Sequence, residues 1–192
     1  MRVTHLQQVG GFLNTYNFVL LFALFSVCAI FASVETPLEI SLPRLNLPHY
    51  PHRIKSSEKG AYIFDRVRKK YVRLTPEEWV RQNFIAYLVN GKKYPAGLMA
   101  IEKRLLVNNM ERRADIVIHS RDASPYIIVE CKAPFVEITQ AVMDQAVAYN
   151  MTLGCRILCL TNGLKHVYAM LDHRAGRFSY LRELPDYTPD NR

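Results

Sequence analysis

The sequence is poor in cysteine, short of acid relative to base, and without an apolar run of full membrane-spanning length. Its four cysteines, Cys28, Cys131, Cys155 and Cys159, include no C-x-x-C pair and have no histidine partners at zinc-like spacing, which argues against a disulfide framework and a zinc module. Cys155 and Cys159 lie on one face of the apolar run Cys155 to Leu160, where free cysteine behaves as a small buried hydrophobe, in keeping with a reducing compartment. No G-x-x-x-x-G-K-(S/T) segment occurs, so P-loop nucleotide chemistry is excluded. With 25 basic against 17 acidic residues, a charge of +8 and a pI near 9.4, the chain favours polyanions as partners. The alternative is a protein that is simply basic. At 192 residues and 49% apolar content, the chain suits one well-buried core with tails rather than two domains of ordinary size.

Residues 18–32, FVLLFALFSVCAIFA, are apolar throughout but fall short of the ~20 residues a spanning helix needs. Their length, Arg2 before them and Ala29, Ala32 and Ser33 after them fit a signal-peptide core. The competing expectation is that residues 1–34 arise from a mis-assigned start. No methionine lies between Met1 and Met99, so a downstream start would use a non-AUG codon, with Val34 a candidate.

Residues 35–59 carry Pro37, Pro43, Pro48 and Pro51 and read as an extended arm on the surface. A domain over residues 60–171 follows, and residues 172–192 read as a tail. Within the domain, Tyr62 to Phe64 and Tyr71 to Arg73 flank Arg66 to Lys70 as a short hairpin. Its basic cluster, Arg66, Arg68, Lys69 and Lys70, reads as a solvated turn. Thr75-Pro76-Glu77-Glu78 is a capping box opening a helix. Val80, Phe84, Tyr87 and Leu88 give that helix an apolar face, and Asn90-Gly91 ends it.

The period then changes to two over Leu98 to Val107, Arg113 to His119 and Tyr126 to Lys132. Turns at Asn108-Asn109 and Arg121 to Pro125 make these strands antiparallel neighbours. Thr139 caps a second helix through about Met151, Arg156 to Leu160 is a strand, and Asn162-Gly163 offers a tight turn into Lys165 to Leu171. The order α-β-β-β-α-β-β implies an α/β fold with a mixed central sheet flanked by helices.

On a strand, Glu130 and Lys132 share a face while Val129 and Cys131 point the other way. A carboxylate and an ammonium buried there without partners would cost several kcal/mol each, roughly, so a cleft or a charged ligand is expected. Asp115 lies on the preceding strand, which pairs with the Glu130 strand, so the two carboxylates can converge. Hard Mg²⁺ is held by one or two carboxylates with water and substrate phosphate. Lys132 would position or help deprotonate the attacking water. The bland alternative is an aspartate and a Glu130–Lys132 salt bridge at a strand edge.

Asp115 followed by Glu130-Cys131-Lys132 resembles the D…E-x-K signature of the PD-(D/E)-x-K nuclease superfamily. More narrowly, Leu74 to Leu171 resembles the N-terminal nuclease domain of type I restriction enzyme R subunits. The matching pieces are TPEEWVRQ (Thr75 to Gln82), AIEKRL (Ala100 to Leu105), RRADIVI (Arg112 to Ile118), IIVECKAP (Ile127 to Pro134) and Gln145-x-x-x-Tyr149. The resemblance implies a restriction-endonuclease-like core and a DNA endonuclease using Mg²⁺, or Mn²⁺ in its place, with no small-molecule cofactor. It makes Asp115 and Glu130 the metal ligands and Lys132 the catalytic lysine. The Q-x-x-x-Y pattern is that of the RecB-like branch and adds Gln145 to the catalytic set. Tyr149, on the same helix face, and Arg113 are the DNA-contacting candidates, and Glu78 and Glu102 are auxiliary metal-site candidates. Ala114 stands where the superfamily has its proline. Lacking the P-loop, the chain cannot by itself perform ATP-dependent restriction.

Two readings compete: a nuclease acting on DNA, alone or with other restriction-modification subunits in the cytoplasm, and a DNA-binding or complex-forming module that keeps the fold without cutting. A third, an exported or membrane-attached protein, rests on residues 18–32 alone.

Overall fold

Alternating apolar positions from Met99 onward build the larger of two sheets in the computed structural model, which describes residues 42–107 and 110–189, apart from the side chains of 105–112, 148–149 and 151–152. The expectations for residues 1–34, the Asn108-Asn109 turn and the Tyr149 side chain lie outside the described residues.

The smaller sheet comes first. Strands β1 (Ile54–Ser57), β2 (Gly60–Asp65) and β3 (Lys70–Arg73) pair antiparallel in that order. Helix α1 (Pro76–Ala86) follows and widens into a π turn over Tyr87–Gly91. The larger sheet holds β4 (Met99–Val107), β5 (Met110–His119), β6 (Pro125–Cys131), β7 (Ile157–Thr161), β8 (His166–Asp172) and β9 (Arg177–Leu181) in sequential order. Only β6 and β7 run parallel, because helix α2 (Gln140–Leu153) supplies the crossover that a parallel pair requires.

Each face of the large sheet is covered by one helix. Val80 and Phe84 of α1 and Leu88 of the π turn pack on Ile116, Ile118, Ile127, Val129 and Ile157. Ile138, Met143 and Ala146, at the start and on the inner side of α2, pack on Val117, Ile128, Leu158 and Leu160. Burying each large apolar side chain here contributes about 1.5–3 kcal/mol. The result is a mixed α/β fold with two sheets and few helices, and no described helix is long and apolar enough to cross a membrane.

Both helix starts follow the expected chemistry. The Thr75 side chain accepts the Glu78 amide at 3.1 Å, and Thr139 accepts the Val142 amide at 3.4 Å. Gly154 closes α2 with φ +73°, a conformation that suits glycine.

Four expectations are corrected. Residues 35–59 are not simply a surface tether, because Ile54–Ser57 forms β1 and Leu45 is buried in the core. Backbone bonds from Asn46 N–H to Gly163 O (2.7 Å) and a bond from the Trp79 indole N–H to Pro43 O (3.0 Å) strap this segment down. The stretch after Leu171 is not merely a tail, since β9 extends the sheet and Leu184 is fully buried. The turn at Asn162-Gly163 spans four residues, because Thr161 pairs with His166. Arg68 is not a solvated turn residue, because its side chain is only 15% exposed and engages three carboxylates.

Candidate active site

The β5–β6 ladder stops just short of the charged residues, leaving a gap in the backbone pairing. Its last pair at that end is Ile116 with Val129, so the next step places Asp115 beside Glu130. The Asp115 carboxylate is buried, 7% exposed. Its Oδ2 accepts the Cys131 amide at 2.7 Å, and its Oδ1 accepts Arg81 Nη2 at 2.6 Å. On β4, Glu102 occupies the register position opposite Asp115, between the pairs Ile101–Ile116 and Lys103–Ala114. Its φ of +52° is strained for a residue with a Cβ, and such strain collects at functional sites.

Arg81 and Arg68 organise the acids around this gap. Beyond Asp115, the Arg81 guanidinium reaches Glu77 at 3.0 Å, Glu78 in a short contact, and Glu102 at 3.9 Å. Burial disfavours its charge, yet Asp115 and Glu78 outweigh that and raise its pKa further. The Arg81 Nε is buried without a hydrogen-bond partner. Arg68 bonds Asp65 at 2.6 Å and Glu78 at 3.1 Å and makes a short contact with Glu102. Gln82 Nε2 adds bonds to Asp65 (2.9 Å) and Glu78 (2.8 Å), and Arg113 reaches Glu102 at 3.4 Å.

Five carboxylates (Asp65, Glu77, Glu78, Glu102 and Asp115) thus meet three guanidiniums (Arg68, Arg81 and Arg113). With Glu130 ionised, Lys132 balances it, so these described groups carry two negative charges in excess. The donors are all oxygen, but the arginines already hold most of them, and among the described residues no group of three or more such side chains is arranged to hold a metal ion.

Glu130 and Lys132 differ from their neighbours in what they lack. Among the described residues no hydrogen bond or ion pair holds the Glu130 carboxylate. Burial, and next the negative charge of Asp115, push its pKa up to about 7, while Lys132 and Arg81 oppose the shift. The Lys132 side chain makes no salt bridge to Glu130, so the bland strand-edge pairing does not describe these residues. The Lys132 backbone is fixed, its N–H donating to Thr161 O at 2.8 Å across to β7. Between them, Cys131 is fully buried with its thiol pushed well above the usual range by burial, which leaves it a packing residue.

The sequence candidates therefore fall into groups. Asp115, Glu130 and Lys132 come together. Glu78 and Glu102 join them through the arginines, and the capping box does not exhaust Glu78, whose carboxylate turns to Arg68, Arg81 and Gln82. Arg113 is 61% exposed and tied to Glu102. Gln145 is exposed on α2 and makes no hydrogen bond to the three central residues. Sequence reasoning missed Arg81, although Glu77 four residues before it is a helix-face signal. It also missed Arg68, whose signal is Asp65 three residues earlier.

A family model described as the type I restriction enzyme R protein N terminus (HSDR_N) matches residues 76–185, which is more than half of the chain. The chain belongs to this family. The match spans α1, the whole large sheet and the gap with Asp115, Glu130 and Lys132, and it leaves the three-stranded sheet outside. A fragment structure described as an HsdR subunit of a type I restriction enzyme from Vibrio vulnificus is similar to this R-protein N-terminal chain over 62% of its length, with 21% identity and a TM-score of 0.43. The similarity covers 24% of that structure's chain, so this chain spans about a quarter of it. No curated protein matches.

Proposed function

We propose that this R-protein N-terminal domain is a metal-dependent nuclease of the PD-(D/E)-x-K kind, hydrolysing DNA phosphodiester bonds. One observation carries the reading: at the gap beside β6, Glu130 and Lys132 are left without side-chain partners among the described residues, next to Asp115 and its cluster of acids. Both are half-buried, and two neighbouring charges of opposite sign that the protein leaves unpaired at the end of a strand suit a charged reactant.

Asp115 and Glu130 would hold a divalent ion, Mg²⁺ or Mn²⁺, with Glu78 and Glu102 as auxiliary acids. Bound there, such an ion supplies charge compensation at the phosphate oxygens and acidifies water. Lys132 orients the attacking water through its ammonium and neutralises charge gathering on the phosphate. The backbone bond to Thr161 fixes the point from which that side chain projects. Arg81 holds Asp115 in place from the side opposite the Cys131 amide. Gln145 and Tyr149 of α2, with Arg113, are the proposed contacts to DNA and water. Other restriction-modification subunits are the proposed partners, and the cytoplasm the proposed location.

Nicking of supercoiled plasmid by the pure chain with Mg²⁺, compared with Lys132→Ala and Asp115→Asn, tests the reading. Equal nicking by all three would remove both residues from the mechanism. A second reading, a DNA-contacting module without cleavage, is favoured by Arg81 already taking Asp115 Oδ1 at 2.6 Å. Salt-sensitive DNA binding that persists with no cutting under any metal would select it.

A further inference from the structure

The strands that precede the family-matched region carry most of the chain's net positive charge. Between Arg53 and Arg73 there are eight basic residues (Arg53, Lys55, Lys59, Arg66, Arg68, Lys69, Lys70 and Arg73) and two acidic ones (Glu58 and Asp65), an excess of six in a chain whose total is +8. Asp65 is fully buried and spent on Arg68 and Gln82, so Glu58 is the one acid in this stretch on the outside.

Strand parity sorts these residues. Ile63 is fully buried against the body and its partner Val72 half-buried, so their side of the sheet faces inward, while Ile54 at the edge stays 44% exposed. The pairs Lys55–Tyr62, Tyr62–Arg73 and Phe64–Tyr71 therefore point outward. The outward face interleaves rings and cations. The Arg53 guanidinium carbon sits 3.6 Å from the Phe64 ring centre, and Lys55 Nζ lies 4.2 Å from that of Tyr71 and 5.9 Å from that of Tyr62. Phe64 and Tyr71 meet edge to face at 5.2 Å. None of these three rings belongs to the hydrophobic clusters of the large sheet, and Tyr71 is 37% exposed. No salt bridge neutralises Arg53, Lys55 or Arg73 among the described residues.

We propose that this face binds unpaired nucleic acid, with bases stacking on Tyr71, Tyr62 and Phe64 and phosphates meeting Arg53, Lys55 and Arg73. The magnitudes favour exchange. A cation over an exposed ring contributes about 0.5–1 kcal/mol, whereas a base stacked on an aromatic side chain contributes about 1–3 kcal/mol. A base therefore displaces Lys55 from Tyr71, and the freed ammonium turns to a phosphate. A duplex keeps its base faces in its own stack and offers these rings nothing, so the aromatic content selects an open strand. The sheet that carries this face is tied to the candidate active site. Arg68, in the turn between β2 and β3, grips Glu78 and Glu102, and Asp65 grips Gln82 of α1, clamping the small sheet to the helix that borders the gap. The proposal extends the nuclease reading by naming the form of nucleic acid bound, but it does not depend on cleavage.

Fluorescence anisotropy of the full chain in EDTA, where no metal-dependent cutting occurs, tests it with labelled oligothymidylate, oligouridylate and a duplex of equal length. Both single strands are expected to bind more tightly than the duplex. Tyr71→Ala and Tyr62→Ala are each expected to weaken strand binding about tenfold with unchanged duplex binding and unchanged circular dichroism. Tyr71→Phe should retain affinity, and Lys55→Gln or Arg73→Gln should each lower the salt slope by about 0.7. Equal affinity for strand and duplex, or full affinity in both alanine variants, overturns the proposal. So does binding to poly-glutamate in preference to either nucleic acid. Loss of plasmid nicking with strand binding intact would count against the nuclease reading alone.

Discussion

Replacing Arg81 by methionine separates what the arginine does for the fold from what it does to the site. Arg81 is 3% exposed, and its guanidinium holds Asp115 at 2.6 Å, Glu77 at 3.0 Å and Glu78 in a short contact. Methionine keeps most of the aliphatic stem but leaves Asp115 and Glu78 buried with less opposing charge. Removing one partner of a buried pair costs about 3–5 kcal/mol, and for a domain of this size each kcal/mol moves Tm by about 2–4 °C. A fall of roughly 6–20 °C is expected in EDTA, read by circular dichroism. Titration with Mn²⁺ should then stabilise the variant more than the wild type, because the ion no longer shares Asp115 Oδ1 with a resident cation. Ligand at a hundredfold over Kd contributes about 2.7 kcal/mol, and relief of the competition should add at least about 1 kcal/mol to the variant's gain. Identical melting in EDTA would show that the Arg81–Asp115 contact contributes nothing. Equal metal-induced shifts in the two proteins would show that no ion binds at Asp115.

Other perturbations give contrasting outcomes. Lys132→Met should cut Mg²⁺-dependent nicking by about 100-fold or more while moving stability by less than about 1 kcal/mol; a larger loss of stability than of activity would make Lys132 structural. For Glu130, the folded pKa of about 7 lies above its ordinary value of 4.5, so ionisation disfavours the metal-free fold. Glu130→Gln should match the wild type below about pH 4.5 and become more stable than it as pH rises, by up to about 3 kcal/mol above pH 7 in EDTA. Urea denaturation of both proteins across that range checks this, and a constant difference would refute it. At Gly163, φ is +81° and an added Cβ would lie 2.7 Å from Leu45 Cδ2 and 3.2 Å from Val80 Cγ2. Gly163→Ala should therefore cost about 1–3 kcal/mol in urea denaturation, and an unchanged midpoint would contradict the close approach of the Leu45 strap.

The parts of the fold legible in the sequence are those in which one strong pattern had no rival. Thr75-Pro76 followed by apolar residues at helical spacing marked α1, and the long runs around Ile116 and Ile128 marked β5 and β6. The same period of two put Glu130 and Lys132 on one side of Cys131, and the short connection between their strands brought Asp115 near. What stayed hidden depended on contacts between distant segments. Strand β1, Ile54–Ser57, is exposed at every residue, so no alternation announced it. Strand β9 is mostly exposed, and backbone pairing with β8 defines it. Among Arg66, Arg68, Lys69 and Lys70 the composition gives no reason to single out Arg68, whose distinction is the fold bringing Glu78 and Glu102 within its reach. Leu45 likewise becomes a core residue only because Gly163 leaves a space for it.

The parallel join between β6 and β7 has a consequence for the order of assembly. Asp115 and Glu130 sit on strands joined by a short turn, so local pairing brings them together early. The Lys132 amide meets Thr161 O only after the chain has run through α2 and returned as β7, a long loop whose closure delays non-local pairing. A nascent chain that has reached only the end of β6 would hold the two acids without a fixed lysine, and the site gains its third member when the crossover docks.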